Sequence, residues 1–328
     1  MRLGALLPIR HLAWLTVRFI DKTEKTMGDT SRADGGYRVA LNPIQWFATA
    51  DGWLNPNSGP APEEIMSEVA RSGFKAIHAQ VPPDWTVPQY KAALDQAGLQ
   101  PAPGYFSLGL PDHGVTVEAA CENARKSAAQ QAALGLSDMF ISPRMNPLRV
   151  EKPGIGAPIA STEFADVVSI LDRVSAVMRE EGVLAAFHPH VGCWGETENE
   201  TRQILDAISA TQLAFGPDTG HLSWAGADVV GLMRDYRERV TVMHIKDCRL
   251  SVRDAAKVAG KTYRETVVDG LWAEPGLGEL DLVAMIGAAG PDFDGWLIAE
   301  VDFPTMSPFA SAEASAQWLS SLKKPIAS

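Results

Sequence analysis

The chain has 328 residues and a formal net charge of −11, with 46% hydrophobic and 21% charged residues. This length accommodates one large α/β barrel or two ordinary domains, and the composition is that of a globular protein with a sizeable core. The excess of acidic residues argues against a nucleic-acid partner. Cys121, Cys193 and Cys248 form no CxxC pattern. We interpret them as reduced thiols, which predicts a cytoplasmic protein.

The N-terminal segment differs from the rest of the chain. Arg10, His11 and Arg18 interrupt its apolar run, which disfavours a signal peptide, the alternative interpretation of this segment, and no apolar stretch approaches the length of a membrane span. We interpret residues 1–36 as a flexible extension, or as an over-long gene start that would move the first residue to Met27. Residues 37–328 are expected to form a single domain that does not associate with membranes.

From residue 37 the sequence alternates between short apolar runs and amphipathic runs, and several amphipathic runs end at a glycine, as helices commonly do. The apolar runs predict eight strands: Tyr37–Ile44, Lys75–Gln80, Gln100–Ser107, Asp138–Ser142, Val183–His188, Leu213–Asp218, Val240–His244 and Gly295–Glu300. The amphipathic runs predict eight helices: Glu63–Ser72, Pro88–Ala97, Val117–Leu134, Ser161–Glu181, Glu198–Ser209, Ala227–Tyr236, Leu280–Ala289 and Ala312–Leu322.

This alternation implies parallel strands joined by right-handed crossovers, and eight units in about 290 residues predict a closed (β/α)8 TIM barrel. A doubly wound sheet is the alternative. However, no GxGxxG loop follows the first strand, which ends in Pro43-Ile44-Gln45-Trp46. Residues 143–161 and 249–279 are longer than ordinary loops and follow strands. Both should therefore lie over the C-terminal face, where such barrels keep their active sites.

The ends of the last four predicted strands carry imidazoles and carboxylates. These residues are His188 and His190 after strand 5, Asp218 and His221 after strand 6, His244 after strand 7 and Glu300 after strand 8. Neighbouring strands lie about 4.8 Å apart, so side chains at these ends could converge on one ion. A mixed set of nitrogen and oxygen ligands suits Mn, Co, Fe or Zn better than Ca. Any one of them alone could equally be a hydrogen-bonded structural residue.

Three segments resemble the xylose isomerase-like TIM barrels of the sugar isomerase/epimerase superfamily. They are Asp218-Thr219-Gly220-His221, His244-Ile245-Lys246-Asp247 and Gly295-Trp296-Leu297-Ile298-Ala299-Glu300. Within that superfamily the sequence is most similar to the inosose (2-keto-myo-inositol) dehydratases. The further shared segments are His188-Pro189-His190-Val191-Gly192, Lys246-Asp247-Cys248-Arg249-Leu250 and Pro275-Gly276-Leu277-Gly278. The resemblance covers residues 38–322.

The resemblance implies one divalent metal ion, Mn or Co in preference to Zn, Fe or Mg, bound by Asp218, His244 and Glu300. The fourth ligand position is His188, where many relatives have a glutamate, and His190 could substitute for it. After strand 4 this chain has Ser142-Pro143-Arg144 where dehydratase relatives carry an acidic residue. This departure leaves the exact substrate open.

The expected substrate is a keto-sugar or keto-cyclitol, as in inositol catabolism. Glu300 or His190 would remove the proton next to the carbonyl, and the metal would stabilise the enediolate. His221 would then act as the acid and Lys246 would steady the oxyanion. Elimination would make the enzyme a lyase or dehydratase, and reprotonation would make it an isomerase or epimerase. Cleavage of a 3-keto-glycoside and a catalytically inactive sugar-binding barrel are further alternatives.

Five more residues lie in segments expected at the rim of the barrel and are candidates for substrate contacts: Gln45, Trp46, Trp194, Trp224 and Arg249. Indole rings could stack on a sugar, and the guanidinium could hold a phosphate or carboxylate. The alternative is that the tryptophans only pack the barrel mouth. The sequence does not decide between a monomer, a homo-oligomer and a complex with a small accessory subunit.

Overall fold

The computed structural model describes residue 32 and residues 36–156 and 161–324. Most of the expected flexible extension, residues 1–31 and 33–35, lies outside the described residues, so that expectation stays a prediction. In the described part, no helix is both long enough and apolar enough to cross a lipid bilayer.

Parallel strands form the barrel that the sequence predicts. In chain order they are β1 (Arg38–Leu41), β2 (Ala76–His78), β3 (Gln100–Ala102), β4 (Tyr105–Leu108), β5 (Asp138–Pro143), β6 (Leu184–Phe187), β7 (Leu213–Phe215), β8 (Val242–Ile245) and, near the end, β11 (Trp296–Ala299). One run of paired strands has the order β3-β2-β1-β11-β8, and the other has the order β4-β5-β6-β7. A short antiparallel pair, β9 (Asp247–Cys248) and β10 (Trp272–Ala273), lies between β8 and β11.

Helices follow the strands as predicted, with ends shifted by a few residues. They are α1 (Pro62–Arg71), α2 (Val87–Ala97), α3 (Val117–Ala133), α5 (Ser161–Glu180), α6 (Glu198–Ala207), α8 (Val229–Asp235), α11 (Leu282–Ala288) and α12 (Pro308–Ser321). Shorter helices that were not predicted lie at the C-terminal face: α4 (Pro147–Glu151), α7 (Thr219–Trp224), α9 (Leu250–Ala259) and α10 (Tyr263–Val268). The segment 249–279 is therefore largely helical.

Two seams join the runs of strands into a closed barrel. The predicted third strand is interrupted at Pro103-Gly104, so β3 pairs with β2 while β4 pairs with β5. Proline has no N–H to donate, and the amide of Gly104 donates to the side chain of Gln131 (3.0 Å). A Cβ at residue 104 would lie 2.2 Å from the carbonyl oxygen of Ala79, which is why the break contains a glycine. The other seam joins β7 and β8 through parallel bridges, Phe215 to Val240 and Asp218 to His244.

The interior of the barrel is filled by five alanines, two β-branched side chains and one phenylalanine, with one residue from each of eight strands. They are Ala40, Ala76, Ala102, Phe140, Ala186, Ala214, Val242 and Ile298, all buried in one cluster. Such inward layers make the barrel a packed core rather than a pore. A separate and larger cluster packs the outward faces of the strands against the helices. Function must therefore reside at the rim, above this layer.

Asp247 anchors the loop that follows β10. Its buried carboxylate accepts hydrogen bonds from the backbone amides of Cys248, Gly276, Gly278 and Leu280, at 2.9 to 3.1 Å. A carboxylate that accepts several amide hydrogen bonds satisfies donors that water cannot reach. The loop 274–280 is thereby fixed against the rim of the barrel.

Replacing Asp247 by asparagine should lower the free energy of unfolding by about 2–4 kcal/mol, because one amide oxygen cannot serve four donors and the new NH2 faces them. Urea denaturation followed by circular dichroism measures this change. The control is Asp254→Asn at an exposed site, where the change should stay within about 0.5 kcal/mol. Equal stability of the two variants would contradict the assigned anchor.

Candidate metal and substrate site

Four side chains from four neighbouring strands converge at the C-terminal rim. His188 directly follows β6, Asp218 follows β7, His244 lies in β8, and Glu300 directly follows β11. One ligand atom from each lies within 4.8 Å of the others, and all four residues are buried. The strand order explains this convergence, because parallel strands carry their carboxyl ends to the same edge.

The nitrogen and oxygen atoms of this cluster form a donor set that fits a divalent cation. Oδ1 of Asp218 accepts from the amide of His221 (2.7 Å) and caps α7, whereas Oδ2 has no hydrogen-bond partner among the described residues. That oxygen lies 3.9 Å from both His188 Nε2 and His244 Nδ1. His244 Nδ1 lies 3.1 Å from Glu300 Oε2. Two imidazoles and two carboxylates form a donor set typical of Zn and of neighbouring transition metals.

Lys246 lies beside this cluster and is also buried. Its Nζ lies 2.9 Å from Glu300 Oε2, 3.6 Å from Asp218 Oδ2 and 2.8 Å from Asp302 Oδ1. Burial alone would lower its pKa, but the three carboxylates outweigh burial and raise the pKa well above its usual range. Lys246 is therefore an ammonium ion at neutral pH, and the ring of Trp272 covers it at 4.9 Å.

Burial shifts the pKa of the neighbouring groups towards their neutral forms. It raises the pKa of Asp218 to about 7, although Lys246 acts in the opposite direction. It lowers the pKa of His188 well below its usual range, and His244 adds to this effect. Neutral imidazole is the form that binds a metal. A cation at the site would restore the charged form of Asp218.

A second group, His190, His221 and Asp302, adjoins the first, and its potential ligand atoms also lie within 4.8 Å of one another. Nδ1 of His190 lies 2.7 Å from the carbonyl oxygen of Val191, which can only accept, so this nitrogen carries the proton. The other nitrogen, Nε2, is left unprotonated in a ring that lines the cavity. Burial, aided by Lys246, lowers the pKa of His190 to about 3, so the ring is neutral.

His221 lies directly behind His190, with the two ring centroids 3.7 Å apart. It is fully buried, and its Nδ1 accepts from the amide of Val191 (3.3 Å). Burial and the nearby His190 and Lys246 lower its pKa well below the usual range. Its other ring nitrogen, Nε2, lies 3.1 Å from Lys246 Nζ. The role of His221 as the acid stays a prediction.

A cavity of about 650 Å³ opens above the site. Its inner end is polar and is lined by Asn42, His78, Tyr105, His188, His190, Glu300 and Asp302. Besides Tyr105, three of these were not singled out in the sequence. Asn42 donates to Glu300 Oε1 (2.6 Å), Asp302 holds Lys246, and His78 has a buried Nδ1 without a partner in the described part of the chain. All three lie at or just after strand ends, and that position was the signal available.

The five predicted substrate contacts lie away from this cavity. Trp46 donates to Glu68 (2.5 Å) behind the rim, and Arg249 donates to the carbonyl oxygens of Gly270 and Trp272. Trp194 packs against Arg149, and Trp224 packs against Tyr263 and Trp272. Gln45 is buried, with neither end of its amide paired among the described residues. Contact of these residues with a substrate stays a prediction, which their positions do not support.

Comparison with known proteins agrees with this geometry. The chain is 24% identical over 294 residues to an inosose dehydratase of Geobacillus kaustophilus, covering 87% of this chain and 94% of the relative. The IolI protein with a bound zinc atom superposes with a TM-score of 0.61 at 14% identity, covering 85% of this chain and 95% of that structure. A D-allulose 3-epimerase of Methylomonas sp. in complex with D-allulose gives a TM-score of 0.61 at 15% identity, covering 87% and 96%.

The relatives are enzymes, and the structural likenesses concern the fold. The sequence model of the xylose isomerase-like TIM barrel family matches residues 66–322, which include the four convergent residues. The family expected from the strand-end motifs is therefore confirmed. The chain belongs to the xylose isomerase-like TIM barrels.

Proposed function

We propose that this protein is a divalent-metal-dependent lyase that acts on a keto-sugar or keto-cyclitol. The observation that carries the proposal is the cluster of His188, Asp218, His244 and Glu300 beside the cavity. One potential ligand atom of each lies within 4.8 Å of the others, and Asp218 Oδ2 has no hydrogen-bond partner among the described residues. A divalent ion held there would supply Lewis-acid stabilisation of an enediolate. The names of the relatives, inosose dehydratase above all, support a sugar or cyclitol as substrate.

His190 is our choice for the base that takes the proton next to the carbonyl. Its Nε2 is unprotonated because Nδ1 donates to the carbonyl oxygen of Val191, and the ring lines the cavity. Glu300, the other predicted base, has both carboxylate oxygens engaged: Oε1 accepts from Asn42 (2.6 Å), and Oε2 lies 2.9 Å from Lys246 Nζ and 3.1 Å from His244 Nδ1. Because these contacts occupy the oxygens of Glu300, we prefer His190 on geometric grounds.

Lys246 would stabilise the negative charge that develops on the substrate. Asp302 and Glu300, which line the polar end of the cavity, keep Lys246 protonated and fix its position beside them. A fixed positive charge in a site shielded from water needs little reorganisation during the reaction. The β-hydroxyl would then leave as water with the proton that His190 has taken, which gives the dehydrated product. Epimerisation would share the first proton transfer and differ only in the return of a proton to the ring.

Purified protein should bind one divalent ion per chain, with Mn or Co favoured over Zn, Fe or Mg. Asp218→Asn should weaken binding by at least about tenfold, because it removes one of the two carboxylates. Calorimetric titration of the metal-stripped protein with Mn²⁺ measures this effect. Asp254→Asn, on the outer surface, should bind like the wild type. A wild type without stoichiometric metal would refute the proposed metal centre.

His188→Glu should shift the metal preference towards hard ions, raising the affinity for Mg²⁺ relative to Zn²⁺ by about tenfold. The reason is that a third carboxylate replaces a neutral nitrogen ligand. His188→Gln serves as control, since it alters the ligand without adding charge and should weaken all ions. An unchanged ratio of Mg²⁺ to Zn²⁺ affinity in His188→Glu would show that residue 188 is not a ligand.

Incubation with 2-keto-myo-inositol in deuterated water tests the reaction. We expect the substrate to lose water, which mass spectrometry detects. The rate of this dehydration should fall by about 10²- to 10⁴-fold in His190→Gln. His113→Gln, which lies outside the cavity, should remain active. Deuterium incorporation without loss of water would instead favour an isomerase or epimerase.

A further inference from the structure

The cavity above the metal site has two chemically different ends. Its outer wall is apolar and is formed by Phe47, Trp53, Leu54, Pro56, Pro82 and Pro83. The total volume of about 650 Å³ lies in the range of sites that hold drug-sized ligands. One sugar or cyclitol ring would occupy the polar inner end and leave this outer part unfilled.

The outer wall is held in place by contacts between two distant segments. The Trp53 ring stacks on Tyr263 of α10, with centroids 5.7 Å apart and planes 8° apart. The guanidinium of Arg264 lies 5.6 Å from the Trp53 ring and donates to the Asp51 carboxylate (2.6 Å). The tryptophan is thus fixed by its neighbours, and its surface towards the cavity is a preformed part of the site.

The chemistry of this wall selects what it can bind. Hydroxyl groups placed there would lose water and find few hydrogen-bond partners, which is unfavourable. An apolar or aromatic group would bind favourably there, because burying its apolar surface lowers the free energy. Leu54 is 37% exposed and Trp53 is partly exposed, so apolar surface is available in the free protein.

We propose that the natural substrate is a sugar or cyclitol ring that carries an apolar, preferably aromatic, substituent. The ring would lie at the polar end beside His190 and Glu300, and the substituent would lie against Trp53 and Leu54. This inference rests on the proposed function for the position of the ring. Beyond that function, the apolar outer wall of the cavity narrows the substrate class to rings with an apolar substituent.

The test compares two probes that differ only in the apolar group, methyl and phenyl β-D-glucopyranoside. Neither has a free carbonyl, so both report binding without turnover. In calorimetric titration of the Mn²⁺-loaded full chain, the Kd for the phenyl glycoside should be roughly 10- to 100-fold lower than the Kd for the methyl glycoside. Trp53→Ala and Leu54→Asp should reduce this ratio by about tenfold and leave the methyl Kd unchanged. Val258→Asp on α9, at a 91% exposed position outside the cavity, is the matched control.

Three results would overturn the inference. Equal affinity for the two glycosides would contradict the apolar subsite, and so would binding of neither while 2-keto-myo-inositol is turned over. Both results would leave the proposed function standing. A change in sedimentation of Leu54→Asp with an unchanged phenyl preference would assign the wall to contacts between copies of the chain. Absence of turnover together with an undiminished metal affinity of Asp218→Asn would instead refute the proposed function itself.

Discussion

The backbone bridge between Asp218 and His244 is the contact on which the site depends. It joins β7 to β8 beyond the end of β7, with the amide of His244 donating to the carbonyl oxygen of Pro217 (3.0 Å). The same bridge closes one seam of the barrel and sets two candidate ligands side by side. Barrel closure and the proposed metal site therefore share one local structure, and a change that opened this seam would separate the candidate ligands.

The buried charges impose a second constraint. Asp218, Glu300 and Asp302 lie around Lys246 in a region that water barely reaches. Buried carboxylates without partners are costly, so the ammonium is needed to keep them ionised. Asn42 and the amide of His221 supply further hydrogen bonds to Glu300 and Asp218. The polar network is thus connected. Among the described residues it leaves Asp218 Oδ2 without a hydrogen-bond partner, 3.9 Å from His188 Nε2 and His244 Nδ1.

The sequence predicted the barrel and the convergence of four strand-end residues because both follow from periodicity and from the geometry of parallel strands. It did not predict the break at Pro103-Gly104, since that depends on how close Ala79 lies to residue 104. Asp302 was missed because its role depends on the path of the chain after Glu300. The tryptophans were expected at the rim, but sequence position cannot reveal which way a ring faces. Trp53 lines the cavity, whereas Trp46 and Trp224 do not.

The charge balance offers a reason for the histidine at position 188. Three carboxylates and one ammonium leave two negative charges in the site, which one divalent cation would neutralise. A glutamate at residue 188 would add a third uncompensated charge in buried surroundings, at a cost that only another cation could offset. The charges of Lys246 and Asp302 cancel each other. The net charge of the four candidate ligands must therefore match the charge of the ion. A neutral His188 would achieve this match for the proposed divalent ion.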